Sequence, residues 1–368
     1  MSVLLTGATG FVGMEVLARL LEEDGDEPVF ALVRAPDELD AQPRLDAVLD
    51  GLGVAPAGRA RARAVPGDLS APNLRLTALA RRRLVREVTA VVHCAASVQF
   101  GLPLDEARSI NVAGTRRVIG LAREIAAPGR LERLVHVSTA YVAGLHRGRF
   151  FETDLDVGQA FRNTYERTKA EAERVVRAEA VGLPTVVVRP SIVVGESDTG
   201  WTPAFNVLYW PLQAFARGLI KVLPARPDGV VDVVPVDYVA DAIFHLLRDR
   251  PDVEGVIHAT AGAEAVTIEE LVELSCAALH RERPPIDPGA AAALAERSEQ
   301  AARYLPYFDV GVTFDATRAR EVLDPVGITP PPLESYFDTL LGFAQAARWG
   351  KRPIARVDAS VVGAQGRG

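Results

Sequence analysis

Residues 3–13 read Val3-Leu4-Leu5-Thr6-Gly7-Ala8-Thr9-Gly10-Phe11-Val12-Gly13, and this stretch decides the fold. The apolar run at 3–6 has the pattern of a buried strand, and residues 11–23 have the apolar spacing of a helix. Three glycines at the junction let the backbone turn tightly from one to the other. Such a turn brings a diphosphate against the N–H groups of the helix N-terminus, where the helix dipole favours an anion. Thr6, Gly7, Thr9, Gly10, Phe11, Val12 and Gly13 are therefore candidate cofactor-binding residues.

Downstream, the same strand-then-helix rhythm recurs, the signature of βαβ units and a parallel sheet. Strands are expected at 3–6, 29–34, 62–66, 90–94, 134–138, 185–189 and 256–260, mostly as continuous apolar runs buried on both faces. Helices are expected at 11–23, 74–88, 104–126 and 161–181. The fold class is α/β: a Rossmann-type doubly wound parallel sheet with a smaller, mainly helical C-terminal substrate subdomain. Residues 1–195 and 230–260 are assigned to the cofactor domain, and 196–229 and 261–350 to the substrate subdomain. The subdomain carries helical stretches at 268–279, 290–304 and 333–349, and 351–368 reads as a loose tail.

Composition narrows the class. The chain has 368 residues, 48% of them hydrophobic and 24% charged, which suits a large core and excludes a disordered or fibrous protein. With 41 basic and 48 acidic residues the net charge is −7, which argues against nucleic acid as a partner. Two cysteines, Cys94 and Cys276, are too few for a disulfide framework or a zinc site and suit a reducing cytoplasm. No metal ligand set is expected. The N-terminus has no export signal, and the uncharged stretches 88–104 and 199–216 are broken by proline and polar residues, so a soluble cytoplasmic protein is expected.

Further candidates line the carboxyl ends of the expected strands. Arg34 ends the second strand, where an NAD site puts a carboxylate for the ribose hydroxyls. A guanidinium there suits a 2′-phosphate instead and predicts NADP(H). Asp68, with Leu69, follows the third strand, where its carboxylate can accept from an adenine amino group. Ala95 and Ala96 leave room for a ribose after the fourth, and Cys94 reads as core. Tyr165 and Lys169 stand four apart on a helical pattern and share a face, so the ammonium is expected to lower the phenol's pKa. Ser138-Thr139 closes the fifth strand, where a hydroxyl can stabilise a developing oxyanion.

These stretches together resemble the extended short-chain dehydrogenases/reductases. Within them the chain is most similar to alcohol-forming fatty acyl-CoA reductases and to the terminal thioester reductase domains of carboxylic acid reductases and peptide synthetases. The matching stretches are TGATGFVG (6–13), ALVR (31–34), GDL (67–69), VVHCAASVQF (91–100), NVAGT (111–115) and VHVSTAYVAG (135–144). They continue with YERTK (165–169), VVVRPSIVVGES (186–197), TGW (199–201) and VVPVDYVADAI (233–243). The resemblance implies Thr139 as the catalytic hydroxyl, Tyr165 as the acid, Lys169 as its activator and a ribose ligand, and Asn111 as holder of a proton-relay water. It also implies that Pro190 and Ser191 lie against the nicotinamide. The implied reaction is NADPH-dependent reduction of a thioester, on coenzyme A or a separate acyl carrier protein, to aldehyde and, with a second hydride, alcohol. Asp237 and Asp241 also match family positions but read as helix-cap and structural carboxylates.

Trp201, Phe205, Leu208, Leu212, Phe215 and Leu219 form an apolar stripe at helical spacing, widened by Tyr209 and Trp210. Trp201, Phe205 and Tyr209 are candidate substrate contacts on an acyl channel; the same stripe also suits a subdomain core or contact with a membrane surface. Arginines at 59, 61, 63 and 81–83 could meet phosphates of coenzyme A or an acidic carrier, or form solvated faces. The competing readings are a reductase of a ketone, aldehyde or hydroxyl on an apolar substrate such as a sterol, and a cofactor-sensing protein without turnover. Homo-oligomerisation is compatible with the sequence.

Overall fold

The computed structural model describes residues 1–205, 207–291, 296, 304–308 and 310–365. The chain divides into two units, residues 1–142, 163–190 and 237–257 forming the first and residues 143–162, 191–236 and 258–368 the second.

The first is built on β1 (Val3–Thr6), α1 (Phe11–Glu22), β2 (Val29–Arg34), α2 (Glu38–Leu52), β3 (Ala62–Gly67), α3 (Ala78–Glu87), β4 (Ala90–His93) and α4 (Leu104–Ala126). It continues with β5 (Arg133–Val137), α5 (Thr164–Glu179), β6 (Thr185–Pro190), α6 (Val236–Arg248) and β7 (Gly255–Ala259). The seven strands lie in the order β7-β6-β5-β4-β1-β2-β3, and the pairings from β3 through β6 are parallel. The expected doubly wound sheet is borne out. The order reverses between β1 and β4, and in such sheets the ligand crevice lies at the carboxyl ends there.

Every residue of β1, β4 and β5 is buried, so none shows the in-out alternation of a half-exposed strand, and Arg133, His136 and His93 are buried along with the apolar residues. On one face α4 and α5 pack Val118, Ile125, Val175 and Val176 into a core with Leu4, Val91, Leu134 and Val187. Two arginines brace α6. Arg133, on β5, donates to the carbonyls of Leu246 (3.0 Å), Pro251 (3.2 Å) and Val253, satisfying the C-terminal end of α6. Arg19, on α1, donates to Asp241 (2.5 Å) and to the Asp237 carbonyl (3.2 Å). The structural role expected of Asp241 is this tether.

The second unit contains three two-stranded pairings: Ile192–Val194 with Val233–Pro235, Gly148–Phe150 with Val312–Phe314, and Val230–Val231 with Val266–Thr267. Its helices include Tyr209–Ala216, Ile268–Leu279, Thr317–Leu323, Phe337–Ala346 and Arg356–Gln365. The boundaries differ from those expected. Residues 143–162, 191–195 and 230–236 belong here because their strands pair within this unit, and the division also falls at residue 258, inside β7. The expected loose tail instead carries the helix Arg356–Gln365. Arg356 Nε meets Glu196 Oε1 at 2.6 Å, and Trp201 Nε1 donates to the Ile354 carbonyl at 3.0 Å, which pins the segment. Residues 292–295 and 297–303 of the expected helix at 290–304, and 366–368 of the tail, lie outside the described residues. Among the described residues no helix is long and apolar enough to cross a membrane.

Candidate active site

The turn between β1 and α1 is shaped by close backbone approach. Gly7 has φ +80°, and a Cβ there would lie 2.7 Å from the Ala95 nitrogen. A Cβ on Gly13 would collide with the Gly7 carbonyl, and Gly10 N–H closes the turn onto that carbonyl at 2.8 Å. Among the described residues no side chain caps α1, whose N-cap is Gly10. Val12 and Gly13 lie in the first turn of α1, and Thr9 is exposed just before it. A Cβ at Gly7 or Gly13 would meet backbone at under 3 Å, so this tight glycine turn, of the kind that dinucleotide sites use, admits no side chain at either position.

Thr6 ties the cradle to the crevice. Its Oγ1 lies 2.7 Å from His93 Nδ1 and accepts from the Ala95 N–H at 3.3 Å, while His93 Nε2 lies 3.1 Å from Thr115 Oγ1. Thr115 gives its own proton to the Asn111 carbonyl (2.6 Å), so its oxygen accepts from His93 Nε2–H and Thr6 donates to Nδ1. Burial, reinforced by Lys169, holds His93 down to about 3, so the ring is neutral and the network is fully satisfied. Ala95 and Ala96 follow it, half-buried. Cys94 is half-buried too, and desolvation pushes its thiol up to about 12.

Arg34 is exposed at the end of β2, in register with Gly67 of β3. Asp68 Oδ1 accepts from Ser70 N (2.8 Å) and Ser70 Oγ (2.7 Å). Desolvation opposes ionisation of Asp68, but these bonds and the fields of Arg34 and Arg75 hold its carboxyl below the usual range. Arg75, which the sequence did not single out, joins Arg34 because Asn73, Leu74 and Arg75 all have positive φ and fold the chain back. Leu69 is seated on α4: its carbonyl accepts from Arg117 at 2.6 Å, and a Cβ on Gly114 would lie 3.1 Å from its Cβ.

The chemical residues converge through α5. Asn163 caps its N-terminus by accepting from Glu166 N at 3.0 Å. Tyr165, Lys169 and Glu173 then fall on one face at successive turns. The Tyr165 hydroxyl hydrogen-bonds Thr139, whose Oγ1 lies 3.4 Å from the Pro190 carbonyl and accepts from Tyr141 N at 3.2 Å. Desolvation pushes the phenol up to about 12 despite that bond, so it is neutral at ordinary pH. This corrects the expectation of a lowered phenol: burial outweighs the Thr139 bond, and Lys169 Nζ donates to the Val137 carbonyl (2.8 Å). Burial brings Lys169 itself down to about 8, with Glu173 pulling it back up.

Asn111 is spent on scaffolding. Its Oδ1 accepts from Ser97 N (2.7 Å), and its Nδ2 donates to the Ser97 carbonyl (3.1 Å) and to Thr168 Oγ1 (2.9 Å). The side chain thereby fastens the loop after β4 to α4 and α5. Pro190 and Ser191 are both buried.

The candidate substrate residues belong to the second unit. Trp201 is 4% exposed and Tyr209 1%, and the Tyr209 hydroxyl accepts from Gly195 N at 3.0 Å. Phe205 packs edge-on against Tyr209 (5.1 Å between ring centres) and stacks on Phe343 (6.5 Å). Trp201 and Tyr209 are thus packed within the second unit, while Leu219 at the end of the stripe is 67% exposed. Several candidate arginines are also committed structurally: Arg59 pairs with Asp50 (2.7 Å), Arg61 donates to the carbonyls of Glu27 and Glu23, and Arg81 grips Glu124 with two bonds.

A parallel sheet with a glycine turn after its first strand defines a nucleotide-binding domain of Rossmann type. The chain belongs to the NAD-binding family described as male sterility protein, whose model matches residues 5–243. Human fatty acyl-CoA reductase 1 is 32% identical over 303 residues, covering 71% of this chain and 58% of that protein. The Drosophila melanogaster fatty acyl-CoA reductase wat is 31% identical over 279 residues, covering 66% and 53%. The chain thus spans a little over half the length of the curated relatives it matches. Among solved structures, the terminal R domain of the myxalamid PKS-NRPS pathway superposes with TM-score 0.82 at 28% identity, covering 96% of this chain and 92% of that one. The reductase domain of a Mycobacterium tuberculosis non-ribosomal peptide synthetase matches in fold, with TM-score 0.69 at 22% identity, covering 95% and 92%. The resemblance drawn from the sequence motifs is borne out.

Proposed function

We propose that this chain reduces an acyl thioester with NADPH, releasing a thiol and forming an aldehyde, which a second hydride takes to the alcohol. The observation that carries this reading is the 28% identical match to a terminal R domain over 96% of the chain, alongside relatives that are fatty acyl-CoA reductases. When bound, the nicotinamide supplies the hydride that adds to the thioester carbonyl carbon. Thr139 and Tyr165 donate hydrogen bonds to the carbonyl oxygen, and Tyr165 delivers the proton that makes the hemithioacetal hydroxyl. Collapse of that hemithioacetal breaks the C–S bond and returns the proton to the departing sulfur. Lys169, as an ammonium, offsets the phenolate left on Tyr165 and binds the nicotinamide ribose. Asn111 positions this set through Ser97 and Thr168. Substrate choice is assigned to the second unit, most of which lies outside the stretches that carry the family resemblance. Both cysteines are free thiols, which suits a cytoplasmic enzyme.

Oxidation of NADPH by acyl-CoAs of graded length, with thiol release and product identity recorded, tests the proposal. Release of thiol in step with oxidation is expected. Oxidation with ketones and none with any acyl-CoA or acyl carrier protein would overturn it.

For the cofactor, Arg34 is assigned to the 2′-phosphate and Asp68 to the adenine amino group, with Arg75 adding positive field. Arg34→Asp should lower NADPH preference over NADH by tenfold or more, since a charge-assisted bond contributes about 1.5–3 kcal/mol. Retained NADPH preference, measured as the ratio of kcat/KM values, would remove Arg34 from that role.

A further inference from the structure

We propose that Glu173 is a positioning residue of this site: its buried carboxylate holds the two strand ends that carry Thr139 and Pro190, one helical turn beyond Lys169 on the same face. This rests on the reductase reading above for its relevance to turnover. The geometry is local and complete. Glu173 Oε2 accepts from Ser138 Oγ at 2.9 Å and from Arg189 Nε at 3.0 Å, and Oε1 accepts from Arg189 Nη2 at 2.5 Å. Ser138 immediately precedes Thr139, and Arg189 immediately precedes Pro190, whose carbonyl faces the Thr139 hydroxyl. Glu173 and Arg189 are both wholly buried. One carboxylate therefore clamps the carboxyl ends of β5 and β6 one helical turn beyond Lys169.

The surroundings of Lys169 leave this anion a specific task. Desolvation holds His93 and His136 in their neutral forms, and it keeps Cys94 a neutral thiol. Tyr165, one turn earlier on α5, is a neutral phenol. Arg189 and, at 3.7 Å, Arg177 pair with Glu173. Among the groups facing Lys169 from α5, β4, β5 and β6, Glu173 is the carboxylate that favours the ammonium.

The chain has three lysines, Lys169, Lys221 and Lys351, so the Lys169 side-chain amine can be followed by NMR through a pH titration without any substrate. A midpoint near about 8 is expected for the parent protein. Glu173→Gln should move it down by about one pH unit or more, since an opposing charge is lost. The high-pH limb of kcat/KM with the reduced substrate should move down equally. Glu173→Met/Arg189→Met, which replaces the pair with apolar groups of similar size and avoids a stranded charge, should fold and still shift the midpoint down. An unmoved midpoint in either folded variant would overturn the proposal. A shifted midpoint in a protein whose parent reduces no thioester would overturn the reaction assignment and leave Glu173 as argued.

Discussion

Tyr165→Phe should lower kcat by about 10²- to 10⁴-fold, the range a positioned general acid contributes, and leave NADPH affinity within a factor of a few. The phenyl ring retains the packing against Phe100, whose ring centre lies 5.9 Å away, so the loss is confined to the hydroxyl. That hydroxyl bonds Thr139 and, pushed up to about 12, keeps its proton throughout the neutral range. A reductase needs this form, because the proton must pass to the substrate oxygen as the hydride arrives. The phenolate left behind is offset by Lys169, whose ammonium is lost as pH rises through about 8. Activity should therefore fall on the alkaline side near that value, well before Tyr165 itself titrates. Stopped-flow turnover beside a fluorescence titration of NADPH separates the two effects. Undiminished kcat would remove Tyr165 from the chemistry.

The second large effect is expected from Gly13→Ala. The added Cβ would run into the Gly7 carbonyl, a backbone atom with no rotamer to yield. Gly7 cannot retreat, because its own neighbours are the Ala95 nitrogen and the Cys94 carbonyl carbon, the latter 2.9 Å from where a Cβ would stand. The turn between β1 and α1 must open, and the helix N-terminus moves off the diphosphate position. Overpacking of this kind costs about 1–3 kcal/mol of stability, and NADPH affinity should fall by about 100-fold. Thermal unfolding and equilibrium binding check both numbers. Parent-like binding would mean that the dinucleotide sits elsewhere.

The sheet was legible because its strands are buried on both faces. Val3–Thr6 and Val29–Arg34 appear with the expected limits, as does the helix Leu104–Ala126. The helix Glu38–Leu52 was not anticipated: Pro43 interrupts it, and its buried positions, Ala41, Leu45, Leu49 and Leu52, are diluted by charge. Its signals were the Asp37 cap, which accepts from Asp40 N, and Gly53 at φ 72°. In the site, the four-residue spacing of Tyr165 and Lys169 placed them on one face from sequence alone. Glu173 continues that face, but a carboxylate two turns on reads as solvated until β5 and β6 are seen to bury it. For Trp201 and Tyr209, helical spacing cannot separate a core from a channel wall. The partner that decides Trp201, the Ile354 carbonyl, lies 153 residues away.

The most direct test of the central claim is transfer of deuterium from NADPH labelled at the nicotinamide C4 to an acyl-CoA. The account predicts aldehyde or alcohol bearing the label at C1, with one equivalent of coenzyme A thiol released per acyl group and none released without NADPH. Unlabelled product, or thiol released by hydrolysis while NADPH stays reduced, would contradict it.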